Sequence, residues 1–228
     1  MRGFNSWKNC LQTCRIFVNQ DFQDQIAEKR GCTDENILFA GGASGGMFRS
    51  LDGGLSWEMT TKPNQLHNVT CLSQDKRSGK ENIWYFGSGE LTGSSASGAE
   101  AYYGGNGIYK SINGGLTWDS LSTTATNTNG FDSDFDFIWN IETDPSNDSL
   151  DVVYAATYGS IYKSEDGGVN WVKQLGGGSS YYTNIEVSST GKVYATLSSM
   201  YSPSTDKGIW SSDDGLNWIN ITDSLFPA

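Results

Sequence analysis

The chain has 228 residues, 28 of them glycine, 13% of them aromatic, and a formal net charge of −11. That balance excludes a nucleic-acid binder, which needs a basic footprint. No apolar run reaches the roughly 18 residues of a membrane-spanning helix, and the glycine and aromatic content suits an all-β repeat protein with many turns.

Residues 1–35 stand apart from the rest. Met1 to Val18 carries Arg2, Lys8 and Arg15 but no apolar core of a signal peptide. Gln20 to Lys29 is polar, with Phe22 and Ile26 one turn apart, and reads as a short helix stopped by Gly31. We therefore expect an irregular lead-in over 1–35 and a repeat region over 36–228. Cys10, Cys14, Cys32 and Cys71 have no C-x-x-C spacing, so no metal site is expected from them. Free thiols are the simpler reading, and a Cys10–Cys14 bridge is the alternative in an oxidising compartment.

From residue 36 one grammar recurs. Ile37-Leu38-Phe39-Ala40, Ile83-Trp84-Tyr85-Phe86, Val152-Val153-Tyr154-Ala155-Ala156-Thr157 and Val193-Tyr194-Ala195-Thr196 are strand signals between glycine-rich breaks. Each is followed by a second short run, such as Gly107-Ile108-Tyr109-Lys110 or Ser160-Ile161-Tyr162-Lys163. A further strand precedes three of the units: Val69-Thr70-Cys71-Leu72, Ile138-Trp139-Asn140-Ile141 and Thr183-Asn184-Ile185-Glu186-Val187.

Each second run leads into an octapeptide of the form Ser-x-Asp/Asn-x-Gly-x-Ser/Thr/Asn-Trp. The copies are Ser50-Leu51-Asp52-Gly53-Gly54-Leu55-Ser56-Trp57, Ser111-Ile112-Asn113-Gly114-Gly115-Leu116-Thr117-Trp118, Ser164-Glu165-Asp166-Gly167-Gly168-Val169-Asn170-Trp171 and Ser211-Ser212-Asp213-Asp214-Gly215-Leu216-Asn217-Trp218. The Asp or Asn side chain accepts backbone N–H bonds within the turn. The fifth-position glycine supplies a left-handed backbone. The Trp opens the return strand and is expected in the core. The motif therefore folds a hairpin and carries no chemistry. Four-stranded units spaced about 40–50 residues apart are propeller blades. We count three complete blades and one lacking its first strand. That count implies part of a larger propeller, with further blades of the same parent protein as partners. A closed four-bladed ring using residues 1–31 is the alternative.

The octapeptide resembles the Asp-box, or BNR repeat, of sialidases, sortilin-type receptors and xyloglucanases. Leu38 to Ser50, Tyr85 to Glu90 and Tyr154 to Ser164 are similar to secreted Bacteroidetes propellers with sortilin-like BNR repeats. The resemblance covers residues 36–222. It implies a β-propeller and an extracellular or cell-surface setting, and no particular reaction or cofactor. In such folds the Asp-box joins the third and fourth strands of a blade, far from the ligand.

Insertions fall between second and third strands (Gly87 to Gly105, Leu197 to Lys207) and ahead of first strands (Thr123 to Asp136, Gly176 to Tyr182). In a propeller both loop types emerge on the face opposite the Asp-boxes. That face would carry Glu90, Glu100, Tyr102, Tyr103, Asp132, Asp134, Asp136, Tyr181, Tyr182 and Tyr201. Tyrosines and acids on one rim suit a protein or polysaccharide ligand, since rings stack on sugars and carboxylates accept hydroxyl hydrogen bonds. Ordinary loop decoration is the competing explanation. Asp132-Ser133-Asp134-Phe135-Asp136 has the alternating acids of a calcium loop but lacks its glycine and distal glutamate.

A serine hydrolase is excluded. Gly42-Ala43-Ser44-Gly45-Gly46 lies between strands rather than before a helix, and His67 is the only histidine. A sialidase needs three converging arginines, yet none follows Arg77. An inverting glycoside hydrolase of the xyloglucanase type needs only two carboxylates. Asp75, Glu142, Asp144 and Glu186 are candidates, although Asp75 and Asp144 both end first strands and so look like repeat positions. We therefore expect a non-catalytic propeller segment that binds protein or glycan, with a glycoside hydrolase fragment as the alternative.

Overall fold

The structure, a computed structural model, describes residues 13–19, 26–30, 36–42, 45–65, 68–93, 101–127, 131–177, 181–199 and 206–222; at 13–19, 26–30, 91–93 and 101–102 it describes the backbone. The first sheet comprises β1 (Thr13–Asn19), β2 (Ile26–Arg30), β3 (Leu38–Gly42), β4 (Gly46–Ser50) and β5 (Glu58–Met59), in the order β2-β1-β3-β4-β5. The second holds β6 (Val69–Gln74), β7 (Trp84–Ser88), β10 (Ile108–Ser111) and β11 (Asp119–Ser120), side by side in chain order. Between β7 and β10 the chain puts out a separate hairpin, β8 (Glu90–Gly93) with β9 (Ala101–Tyr103). The third sheet is β12 (Ile138–Thr143), β13 (Val153–Thr157), β14 (Ser160–Ser164) and β15 (Val172–Gly176). The fourth is β16 (Tyr182–Val187), β17 (Val193–Ser198), β18 (Gly208–Ser212) and β19 (Ile219–Asn220).

Sheets two to four are antiparallel meanders, each a propeller blade. The first differs on its inner side. There β1 lies parallel to β3, from Ile16 opposite Phe39 to Asn19 opposite Gly42, and β2 adds antiparallel beyond it. This corrects the helix expected over 20–29, because Ile26–Arg30 is a strand. A ten-residue polar segment nucleates a helix poorly, whereas the outer edge of β1, itself paired to β3, offers a row of unpaired backbone groups to any extended segment.

The blades stand in a row, the first strand of one against the first strand of the next. Among the described residues no strand of the first sheet packs broadly on the fourth, so the row does not close as a four-bladed ring. Three apolar layers fill the three gaps. Phe39 and Met47 meet Leu72, Trp84, Phe86 and Trp118. Tyr85 and Ile108 meet Ile138, Ile141 and Val153. Tyr154 and Ile161 meet Ile185, Val193 and Leu197. Burying each such side chain contributes about 1.5–3 kcal/mol.

The octapeptides form the turns between third and fourth strands. In the first three copies the serine Oγ donates to the Asp or Asn carbonyl or carboxylate oxygen (2.8, 2.9 and 2.8 Å) and accepts the N–H of the second glycine (2.8, 2.9 and 2.8 Å). The fourth copy is offset by one residue, which corrects the assignment of Ser211 and Asp213. There Ser212 Oγ donates to Asp214 Oδ1 at 3.0 Å and accepts Gly215 N–H at 2.8 Å. The cause is backbone conformation. Copies one to three place two successive glycines at positive φ (Gly53 70°, Gly54 92°; Gly114 69°, Gly115 77°; Gly167 72°, Gly168 95°). In copy four Asp214 replaces the first of these glycines, a left-handed backbone is unfavourable for it, and only Gly215 (φ 70°) remains. The turn is one residue shorter, and the adjacent Ser212 and Asp214 take over. Asp213 is left outside, paired with Lys192 at 2.9 Å on the surface.

The tryptophans are not uniformly core, a second correction. Trp118 is fully buried, with its Nε1 donating to Thr60 Oγ1 of the first blade at 2.9 Å. Trp171 and Trp218 are half-buried, packed against the second and third apolar layers. Trp57 is 41% exposed and bonds only back to Gly54 O of its own turn, at 3.1 Å. Each of the later three covers the joint with the preceding blade, and Trp57 has no such joint among the described residues.

Candidate functional site

The two ends of the blades are built differently. At one end the octapeptide turns meet the turns between first and second strands: Gly114 N–H donates to Asn82 O and Gly167 N–H to Asp151 O. Here Arg77 is buried, its guanidinium donating to Asp75 Oδ1 (2.9 Å) and Oδ2 (2.6 Å), to Asp151 Oδ1 (2.6 Å), and to the carbonyls of Asn147 and Leu150 (both 2.8 Å). Asp144 accepts from Ser146 N–H (2.8 Å) and Oγ (2.7 Å). Asp75 and Asp144 therefore close first-strand turns, and Arg77 ties blade two to blade three.

At the other end the second-to-third-strand turns meet the links that precede first strands. Gly105 N–H donates to Asp136 O (2.8 Å), Tyr158 N–H to Asp134 O (3.2 Å) and Gly159 N–H to Tyr181 O (3.2 Å). The two loop types thus share one face. Ser133 caps a single 3-10 turn, Asp134–Asp136, and this turn sets the three acids in different directions. Asp136 folds inward and is 1% exposed; its Oδ2 accepts from Asp132 N–H (2.8 Å) and Ser133 N–H (2.9 Å). Its Oδ1 is buried without a hydrogen-bond donor. Burial raises the Asp136 carboxyl above the usual range, with the two N–H bonds opposing it. Asp134 Oδ2 accepts from the Tyr162 hydroxyl (2.8 Å) and pairs with Lys173 Nζ (3.0 Å), which lies over the Tyr162 ring. Burial, and then the Asp134 bond, push the Tyr162 phenol up. Asp132 is exposed. The alternating acids do not form a calcium loop, and among the described residues no three metal-ligating side chains come together.

Beside the acids runs a strip of rings. Phe131, 52% exposed, packs edge-on against Tyr158 (4.7 Å between ring centres) and against Phe137 (5.5 Å). Tyr158 reaches Tyr181 at 5.2 Å. Trp139 packs at a tilt against Tyr182, 5.2 Å between ring centres, and donates from Nε1 to Tyr181 O. Burial raises the Tyr158 phenol, and the neighbouring Tyr181 and Tyr182 add to this.

Of the residues read from sequence onto this face, Asp132, Asp134, Tyr181 and Tyr182 are exposed or half-buried there, whereas Asp136 is folded in beneath it and is not a rim residue. Tyr103 is exposed on β9, and its carbonyl accepts from Asn68 Nδ2. Glu90 does not decorate the rim: it is 4% exposed at the root of the β8–β9 hairpin. Tyr102 is described in backbone only, and Glu100 and Tyr201 lie outside the described residues. Sequence reasoning missed Phe131, Trp139 and Tyr158. Phe131 lay within the flagged link but is not polar, and Tyr158 sits in a two-residue turn with no insertion to draw attention to it.

No protein family and no curated protein matches the chain. Solved structures do. An ancestral GH74 enzyme superposes with a TM-score of 0.63 at 21% identity, over 83% of this chain and 24% of the enzyme. The GH74 xyloglucanase from Xanthomonas campestris gives 0.42 at 16% identity, over 85% of this chain and 36% of the enzyme. YCF48 bound to D1 peptide gives 0.47 at 14% identity, over 83% and 50%. The chain thus spans about a quarter of the first of these. At these identities the likeness establishes the architecture: a partial β-propeller of four-stranded blades.

Proposed function

We propose that this chain is a non-catalytic propeller segment that binds a protein or glycan ligand through the Phe131–Tyr158–Tyr181 strip and its flanking acids. The observation that carries the reading is Phe131. A phenyl ring half exposed over two other rings loses apolar burial that a ligand would restore, and the carboxylates beside it accept hydrogen bonds from hydroxyl or amide donors. Sugar faces stack on such rings, and so do peptide side chains. The four octapeptides, read as Asp-boxes, are scaffold in this proposal, and the Asp-box resemblance supports an extracellular or cell-surface setting. The test is a glycan and peptide array probed with the parent chain, Phe131→Ala and Tyr181→Ala. A ligand bound by the parent and retained equally by both variants would place the site elsewhere.

One observation favours the second reading, a glycoside hydrolase fragment. Asp136 is a buried carboxyl with a raised pKa, the state a general acid needs. Hydrolysis of xyloglucan by the parent but not by Asp136→Asn, with unchanged melting, would establish that alternative.

A further inference from the structure

The three joints between blades are built alike. A second-strand aromatic of the earlier blade meets the octapeptide turn of the later one. Gly115 leaves no room for a Cβ against Phe39, nor Gly215 against Tyr154, and the Tyr85 hydroxyl donates to Gly167 O at 3.2 Å. A cation accompanies the ring in two of them: Lys110 Nζ donates to Gly167 O (2.8 Å) and Lys163 Nζ to Asp214 O (3.0 Å). Those ammonium groups lie 5.2 Å over the Tyr85 ring and 5.9 Å over the Tyr154 ring. Nearer the blade's inner edge, Asn140 Oδ1 accepts Ile141 N–H, and Asn140 Nδ2 crosses to Asn184 Oδ1 (2.9 Å) and Ile185 O (2.8 Å).

Blade four repeats these parts on its outward side. Tyr194 stands opposite Glu186 on β16, as Tyr154 stands opposite Glu142 on β12. Asn184 Oδ1 accepts Ile185 N–H at 2.9 Å, as Asn140 does in its own strand. Ser211 occupies the register position of Lys163, and Lys192 Nζ supplies the cation instead, 6.0 Å over the Tyr194 ring. The difference is exposure. Phe39, Tyr85 and Tyr154 are 0%, 1% and 2% exposed, and Tyr194 is 41% exposed. Glu142 is buried while Glu186 and Asn184 are exposed. The alternating pattern of β16 and β17 is therefore not simply a face turned polar for water. Its Tyr194 and Asn184 stand at the positions of Tyr154 and Asn140, with which blade three holds blade four.

We propose that the outward face of blade four is the seat of one further blade of the same repeat, carried on the same polypeptide. The established joints define what fits: from all three, an octapeptide turn lying against Tyr194; from two, a turn carbonyl for Lys192; and from the joint of blades three and four, a first strand whose carbonyl accepts from Asn184. A second copy of this chain fits less well. The blade it would offer is its first, whose inner strand β1 runs parallel to β3 rather than antiparallel, so its carbonyls are not presented as Ile185 O is to Asn140. One position differs from the earlier joints. Thr196 stands where Gly41, Gly87 and Ala156 stand, and Cβ atoms built on Gly41 and Gly87 would come within 2.6 Å of Val69 and Ile138. The further blade's first strand therefore begins with a side chain smaller than valine or isoleucine.

The experiment appends a second copy of residues 131–177, carrying Ile138→Ala to suit Thr196, after Ala228 and follows amide hydrogen exchange in β16 and β17. Docking slows that exchange by on the order of tenfold or more and protects Tyr194 from nitration. Tyr194→Arg in the extended chain removes both effects, and in the parent chain it leaves the melt unchanged because that ring is exposed. Exchange and nitration equal in the extended and parent chains would overturn the proposal. So would protection of Tyr194 in the parent chain itself that grows with concentration alongside a doubled mass in light scattering, since that assigns the seat to a second copy.

Discussion

The turn end and the loop end of the blades differ in how their carboxylates are held. At the turn end Asp52, Asp166 and Asp214 are each surrounded by N–H and O–H donors from their own octapeptide. Ser56, through hydroxyl and N–H, and then Ser50 hold Asp52 down to about 2. The N–H groups of Asn217 and Leu216 hold Asp214 far below the usual range. Burial would raise Asp166, but bonds from Asn170, Ser164 and Val169 outweigh it and the net shift is downward. At the loop end Asp136 goes the other way, raised by burial with one oxygen lacking a donor. A carboxylate saturated with donors stores its interaction energy in the fold, and one left short of donors retains capacity for something else. The turn end is scaffold by this measure, and the loop end, where we place the proposed ligand strip, is not held in the same way.

The largest effect expected from this contrast lies in the turn-end joints. Trp118 is enclosed between the first and second blades, so Trp118→Ala should cost about 3–5 kcal/mol in a denaturant melt. Trp57 occupies the same motif position but is 41% exposed, and Trp57→Ala should cost less than half as much. Equal losses would mean that the tryptophan stabilises its own hairpin rather than the joint.

Acid should expose the same division. Asp52 has a folded pKa of about 2, below the unfolded value of about 3.9. A depressed carboxyl contributes stability that is present above the unfolded value and lost as pH falls through the folded one. Melting temperature should therefore decline from about pH 4 towards pH 2, with Asp214 and Asp166 acting in the same direction. The double variant Asp52→Asn, Asp214→Asn should show a shallower decline. Asparagine is compatible with the turn, because Asn113 Oδ1 accepts Thr117 N–H (3.1 Å) and its Nδ2 donates to Thr117 Oγ1 (2.9 Å) in the second blade. A profile as steep as the parent's would remove these turns from the acid response.

Much of the scaffold was legible in the sequence, since its signals are local. A strand run, a Ser-x-Asp turn and a return strand follow within about twenty residues, and period and spacing then fix the blade. What was not legible depended on neighbours. Residues 26–30 look helical alone and become a strand because an edge is open beside them. Trp57 and Trp118 are identical in motif and differ only in what stands in front of them. Glu90 looks like a rim residue by position, yet it is buried at the start of β8. The ring strip was hidden for the same reason: Phe131, Tyr158 and Tyr181 are far apart in sequence and belong to different links and turns.

The smallest effect tests how finely the turn end is specified. Aligned on their tryptophans, the four octapeptides assign Ser211 and Asp213 to the fourth turn, whereas the hydrogen bonds run through Ser212 and Asp214. Ser212 Oγ holds Gly215 N–H and Asp214 together, so Ser212→Ala should cost about 1 kcal/mol, the usual net worth of such bonds. Ser211 stands across from Tyr194 in the ladder and has no role in the turn, so Ser211→Ala should change the melt by no more than a few tenths. The paired substitution Asp214→Gly restores the two successive glycines of the other copies. A left-handed backbone then becomes available at 214, and the turn should lengthen so that Ser211 and Asp213 take up the bonds. In that background the order of the two serine variants should reverse. If Ser212→Ala remains the costlier change after Asp214→Gly, the offset is set by the strand register of β18 and not by the backbone preference of one residue.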